Sequence, residues 1–233
     1  MSPVVFFLRI IMKLSQETIR ILKNFSEINT TILIRRGNNI VTVDASKRIL
    51  ADAKLPDNIP NDFAIHDLNS LLTVSSLFDN PDFDFKTDKV VIKNNHRSVN
   101  YCYADPSVVQ DAAPLRQKIP NMFTDDSVVQ KFTLTEEDLK SLRQAATVMH
   151  LPYISFIGDS SGVRVVAQDI SNDTLGNFTL QIADAAEGKF QHNLLLDNLR
   201  VLPGTYDVSV SPKITHFQNK NTPLEYWIVM ESV

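Results

Sequence analysis

The chain has a single cysteine, Cys102, among its 233 residues, so no internal disulfide can form and a reducing compartment suffices. Its five histidines are scattered, with no pair at i, i+4, and one cysteine cannot complete a zinc site. Six glycines are present, and none falls into G-x-x-x-x-G-K-[ST] or G-x-G-x-x-G, so no Gly-rich phosphate cradle exists. Long apolar runs are also missing. The most apolar stretch, Met1 to Ile11, is too short for a membrane span and has neither a cationic leader nor a small-residue cleavage site. It reads either as an extra strand or tail, or as residues upstream of a true start at Met12, and the second reading is preferred. Positive charge is in deficit: the net charge of −4 argues against a protein that coats nucleic acid over its whole surface. Hydrophobic content of 43% and charged content of 21% exclude wholesale disorder.

What is present is a repeat. Ser15 to Ile28, SQETIRILKNFSEI, reappears as Thr135 to Val148, TEEDLKSLRQAATV. Laid over each other without a gap, Ser15 meets Thr135, Ile19 meets Leu139, Leu22 meets Leu142 and Ile28 meets Val148. Arg20 meets Lys140 and Lys23 meets Arg143. Each copy is an amphipathic helix with an N-cap, an apolar stripe and two cations on the opposite face. Taken singly, such a cationic pair is a solvated surface, with Glu17 and Glu27 close enough to pair. Repeated in one register, and joined by Arg200, the cations suit sequence-independent attraction to phosphates. No aromatic residue stands among them to stack on single-stranded bases.

The flanking segments repeat too. Thr31–Arg35 and Ile40–Asp44 are β-branched runs about a predicted hairpin turn at Arg36-Gly37-Asn38-Asn39. Arg48–Ala53 continues the meander, and Pro56–Asp62 reads as a loop. Asp67 caps a second helix, Leu68 to Phe78. Asp79–Asp88 reads as an acidic loop, followed by strands Val90–Lys93 and Ser98–Tyr103. Ala104–Asp126, with three prolines, changes character, and residues 111–126 within it read as an extended interdomain linker. The second half gives strand Val128–Leu134, the repeated helix, and strands Tyr153–Ile157 and Val163–Gln168 about Gly158–Gly162. Strand Phe178–Ala183 follows, then a short helix capped by Asp197, then strands Tyr206–Val210, Lys213–Gln218 and Glu225–Glu231. Two α+β domains of one design result, residues 12–110 and 127–233, after an extension of residues 1–11.

Other candidate chemistry is weak. Gly158-Asp-Ser-Ser-Gly162 resembles a serine-protease nucleophile loop, but a polar hairpin turn explains it, and a hydrolase using Ser160 would need a histidine and an orienting aspartate around the serine. His66-Asp67 reads as a strand end and an N-cap. Asp79, Asp82, Asp84 and Asp88 lack the glycine and terminal glutamate of a calcium loop.

One family does share several stretches with this chain. Met12-Lys-Leu-Ser15, Leu22-Lys-Asn-Phe25 with Ile28-Asn29, Phe63-Ala-Ile-His66-Asp67-Leu68-Asn69, Ala104-Asp105-Pro106-Ser107 and Pro203-Gly204-Thr205-Tyr206 resemble the sliding clamps of T-even-type bacteriophage DNA polymerases. The resemblance runs from Met12 to the end and is weaker in the second half. It implies the α+β clamp fold in a homotrimeric ring, two domains per subunit, helices lining the hole and sheets outside. Duplex DNA would thread the hole beside Lys13, Arg20, Lys23, Lys140, Arg143 and Arg200, with Asn69, Ser70 and Thr73 as an uncharged stretch. Subunits would join through Val99, Tyr101 and Tyr103 of one copy and Phe178, Leu180 and Ile182 of the next. A polymerase peptide would sit near the linker, in a pocket at Leu115, Ile119, Met122 and Trp227. The resemblance further implies an ATP-dependent clamp loader, contacts with late-transcription proteins, no cofactor or metal, no enzymatic activity of its own, no membrane, and the cytoplasm of an infected bacterium. A structural or virion β-rich interaction protein is the alternative function.

Overall fold

The computed structural model describes residues 10–172, 174–186 and 188–231. The chain divides into two compact units: residues up to Thr42 together with Lys54–Asp111, and Val43–Ala53 together with Ala112 onward. The extension of residues 1–11 lies outside the described residues except for its end.

Unit 1 contains β1 (Ile10–Met12), α1 (Gln16–Ile28), β2 (Ile32–Ile34), most of β3 (Gly37–Val43), the second half of β4 (Ile49–Ile59), β5 (Phe63–Ile65), α2 (Leu68–Ser75), β6 (Asp82–Phe85), β7 (Lys89–Lys93) and β8 (Ser98–Cys102). Strands β1-β6-β7-β8 form one antiparallel sheet, and β2 pairs with β5. α1 packs against α2, and Ile21, Phe25, Ile32, Ile65, Leu68 and Ile92 fill the core. Burying a side chain such as Phe25 stabilises the unit by about 2–3 kcal/mol relative to exposure.

Three expectations are corrected in the first half of the chain. Arg36–Asn39 is not a hairpin turn: Ile32–Ile34 pairs with Phe63–Ile65, and β3 begins at Gly37 itself. The hairpin lies further on, between β3 and β4. There the Asp44 carboxylate accepts the Arg48 and Ile49 amides at 2.6 and 2.7 Å, and Lys47 takes φ 58°. Pro56–Ile59 is strand, not loop. Leu55 and Ile59 point inward, and Leu224–Ile228 pairs only with Ile49–Ala53, so Pro56 lacks its N–H where that edge needs none. The acidic loop contains β6, whose Asp84 is fully buried and carries ion pairs from Lys86 at 2.9 Å and Lys93 at 3.6 Å. β1 flanks it, with Ile11 opposite Asp84.

Unit 2 adds α3 (Ala113–Arg116), α4 (Ile119–Met122), β9 (Gln130–Leu134), α5 (Glu136–Val148), β10 (Tyr153–Asp159), β11 (Gly162–Gln168), β12 (Phe178–Ala183), β13 (Phe190–Leu195), β14 (Tyr206–Val210), β15 (Ile214–Asn219) and β16 (Leu224–Val229). One antiparallel sheet runs β12-β11-β10-β13. Another runs β9-β14-β15-β16, with the first half of β4 added by pairing Ile49–Ala53 to Leu224–Ile228. Tyr206 and Tyr226 are buried at its centre. The Tyr206 hydroxyl donates to the Leu202 carbonyl at 2.6 Å, and the Tyr226 hydroxyl accepts the Leu202 amide at 3.1 Å. Burial holds the Tyr226 phenol far above its ordinary range.

The segment read as an extended linker holds two short helices. Pro114 and Pro120 stand in their first turns, where the missing N–H costs nothing, so the prolines start helices here. The second helix of this half shrinks to one 3₁₀ turn, Leu196–Asn198, and Asp197 lies inside it instead of capping it. Arg200 is therefore on the following loop.

Candidate nucleic-acid interface

Each long helix is started by the cap chemistry its sequence carries. Ser15 Oγ accepts the Thr18 amide at 3.2 Å. Thr135 Oγ1 accepts the Asp138 amide at 3.1 Å while the Asp138 carboxylate takes the Thr135 amide at 3.0 Å, a reciprocal capping box. Asp67 caps α2 through the Ser70 amide at 2.9 Å, and hydrogen bonds from Ser70, side chain first, hold its carboxyl below the usual range.

The two repeated helices bury different stripes. On α1 these are Ile21, Leu22, Phe25 and Ile28. On α5 they are Leu139, Leu142 and Ala146, whereas Val148, the match of Ile28, is 78% exposed. α5 ends in a Schellman turn: the Leu151 amide donates to the Ala146 carbonyl at 2.8 Å and the His150 amide to Thr147 at 3.3 Å. Leu151, just past the turn, is buried at 1% exposure.

The cations separate likewise. Lys23 and Lys140 are exposed on the outer faces of α1 and α5. Arg20 is exposed and held against Glu17 by two hydrogen bonds of 3.0 and 2.9 Å. Lys13 is exposed, donates to the Asn80 carbonyl at 3.0 Å and lies 4.0 Å from Asp82. Arg143 departs from the expectation of a phosphate-facing side chain. It is half-buried, and its Nη2 donates to the carbonyl of Leu199 and, at 2.9 Å, to that of Val201. Arg200, between those two residues, is exposed, and its Nε donates to the Asp197 carbonyl at 2.8 Å. On α2 the exposed residues include Asn69, Ser70 and Thr73, and no cation.

β8 and β12 are terminal strands of their sheets among the described residues. Along β8 the side chains alternate: Ser98, Asn100 and Cys102 are exposed, Val99 and Tyr101 half-buried. Tyr101 turns inward, its hydroxyl donating to the Asp67 carbonyl at 2.7 Å, and burial raises its phenol. Tyr103 stacks on Phe63 at 4.7 Å. These tyrosines serve unit 1's own packing, so what β8 presents outward is its backbone edge and the exposed row Ser98, Asn100 and Cys102. On β12, Phe178, Leu180 and Ile182 are half-buried while Thr179 and Gln181 are exposed, and α5 packs over β11 and β12.

The four residues expected around a partner pocket are not equally open. Trp227 is buried, with the Arg116 guanidinium 4.4 Å from its ring centroid and the His216 ring stacked on it at 4.8 Å. Phe123 meets His216 edge-on at 5.6 Å, and Arg116 is also paired with Asp52. Ile119 is buried, Leu115 half-buried and Met122 exposed. Ser160 lies exposed at the β10–β11 turn, where Asp159 is engaged by the Ser161 amide at 2.8 Å and by Arg164.

Residues 13–109 match the model of the DNA polymerase processivity factor family. The sliding clamp of Vibrio phage KVP40 is 28% identical over 227 residues, covering 95% of this chain and 100% of that protein. The sliding clamp of Escherichia phage RB69 is 28% identical, covering 84% of this chain and 86% of its own length. Among solved structures, the proliferating cellular nuclear antigen of Entamoeba histolytica superposes with a TM-score of 0.67 at 12% identity, over 95% of this chain and 98% of that one, which establishes the fold. The chain has the α+β sliding-clamp fold, and by sequence it is similar to the sliding clamps of phages KVP40 and RB69 and, over residues 13–109, to the DNA polymerase processivity factors.

Proposed function

We propose that this chain is a sliding clamp whose copies close into a homotrimeric ring around duplex DNA and tether a replicative DNA polymerase to it. The observation that carries the reading is the match, end to end, with the KVP40 protein of that name. Exposed Lys23 and Lys140 on repeated helices, in a chain of net charge −4, support it: cations concentrated on helix faces attract phosphate while the acidic remainder stays away from it. Contacts of this kind are loose and sequence-independent, as sliding demands, and retention comes from ring closure. In this reading the protein is not itself an enzyme. A separate ATP-hydrolysing loader opens and closes the ring, late-transcription proteins bind the loaded clamp, and all of this takes place in the cytoplasm of the infected bacterium.

The test is native mass spectrometry together with polymerase run length on a primed circular template. A trimer that lengthens synthesis is expected, with Lys23→Glu and Lys140→Glu combined abolishing the gain while leaving the trimer intact. A monomer at micromolar concentration, or run length indifferent to the protein, overturns the reading and favours a structural interaction protein.

A further inference from the structure

We infer that Arg143 is a positioning residue: it pins the loop after the 3₁₀ turn so that Arg200, not Arg143 itself, meets phosphate. The inference rests on the DNA-encircling reading above. Both carbonyls that Arg143 engages, those of Leu199 and Val201, belong to the immediate neighbours of Arg200. One guanidinium nitrogen thus brackets the residue between them, fixing the backbone from which the Arg200 side chain leaves. Leu199 and Val201 are themselves buried, so the bracketed segment is anchored on both sides, while Arg200 stands exposed between them. The Arg200 stem is constrained again by its Nε hydrogen bond to the Asp197 carbonyl at 2.8 Å. Arg143 also lies close enough to the buried Tyr226 phenol for its charge to act there. With Nη2 committed to two carbonyls the guanidinium is held against the loop backbone, and swinging it outward to a phosphate would break both bonds and leave two backbone acceptors short of a partner.

This assignment separates charge from geometry, and the substitutions can too. Arg143→Lys keeps the charge, but its ammonium sits one atom nearer the backbone than Nη2 and falls short of the two carbonyls. The measurement is binding of the full-length protein to a short blunt-ended duplex by fluorescence anisotropy, repeated across salt concentrations. The readout is the slope of log K against log salt, whose magnitude falls by about 1 for each phosphate that the protein no longer neutralises. Arg200→Gln is expected to lower the slope by about 1. Arg143→Lys should lower it by a similar amount, and the double variant should fall no further than Arg200→Gln alone. A change in thermal stability, which any loss of a half-buried arginine brings, does not by itself move that slope. An unchanged slope in Arg143→Lys, or an additive loss of about 2 in the double variant, overturns the inference and returns Arg143 to direct phosphate contact. If Arg200→Gln leaves the slope intact while Lys140→Gln lowers it, this inference fails and the clamp reading stands. If neither lowers it, the DNA-encircling reading fails first.

Discussion

Glu225 shows how much one partner decides at the scale of a residue. Its carboxylate lies 3.0 Å from His216 Nε2, and His216 is in turn sandwiched between Trp227 and Phe123. The hydrogen bond from His216 comes first among the causes that hold the Glu225 carboxyl below its ordinary value of 4.5, ahead of the opposing effect of burial. In the unfolded chain that bond is gone and the carboxyl returns to its ordinary value. The folded state therefore binds this proton less readily, and stability rises with pH through this window. The contribution is complete above pH 4.5 and drains away as the pH falls below it through the folded value. Glu225→Gln keeps an acceptor without the charge. It is expected to cost about 1 kcal/mol at neutral pH, discounted for partial exposure, and to cost little at a pH below both values. Thermal melts of the two proteins across the acid range check this: the curves should converge as the pH falls. A constant gap at every pH would show that the glutamate is held by packing alone.

At the scale of the element, the end of α5 carries an unusual residue. His150 takes φ 55°, the left-handed position of the Schellman turn that glycine ordinarily fills. His150→Gly is therefore expected to stabilise the protein by about 1 kcal/mol, because the left-handed conformation costs an L-residue that much. The check is the thermal midpoint at fixed protein concentration. A lower midpoint would mean that the imidazole makes a contact worth more than the strain. Helix starts were legible in the sequence for a related reason. Ser15, Asp67 and the Thr135–Asp138 pair act within one turn of themselves, so their chemistry reads locally. Strand partners act at long range and did not read. Nothing near Ile32 announces that its partner is Ile65, and nothing near Ile49 points to Ile228. The same limit split the candidate site. Lys23 and Lys140 follow from helical period alone, whereas the fate of Arg143 depends on carbonyls 56 and 58 residues further along the chain. The prolines of the segment before β9 misled in the opposite sense, since proline in a first turn marks a helix as readily as a break.

At the scale of the molecule, the four-stranded sheet of each unit has at one of its ends a strand with an unpaired outer edge among the described residues, β8 in unit 1 and β12 in unit 2. Open edges invite pairing with another chain, and a protein that carries two must blunt them or use them. Neither is blunted by proline, and β8 has no charged residue between Ser98 and Cys102. Joining β8 of one copy to β12 of the next would use both of these edges in every copy when the ring closes. The inward tyrosines would not need to move, because Tyr101 is already spent on Asp67 and Tyr103 on Phe63. The exposed row on β8 ends in Cys102, the sole cysteine of the chain, which gives the edge a built-in reporter. Its alkylation by a maleimide requires an accessible thiolate. If β8 is a subunit edge, the rate should be high at dilution and should fall as protein concentration rises, tracking the fraction of free subunits, since assembly is a mass-action equilibrium. Mass spectrometry of the alkylated protein over a dilution series measures it directly. A rate that stays constant while the trimer forms would place the subunit contact elsewhere than β8.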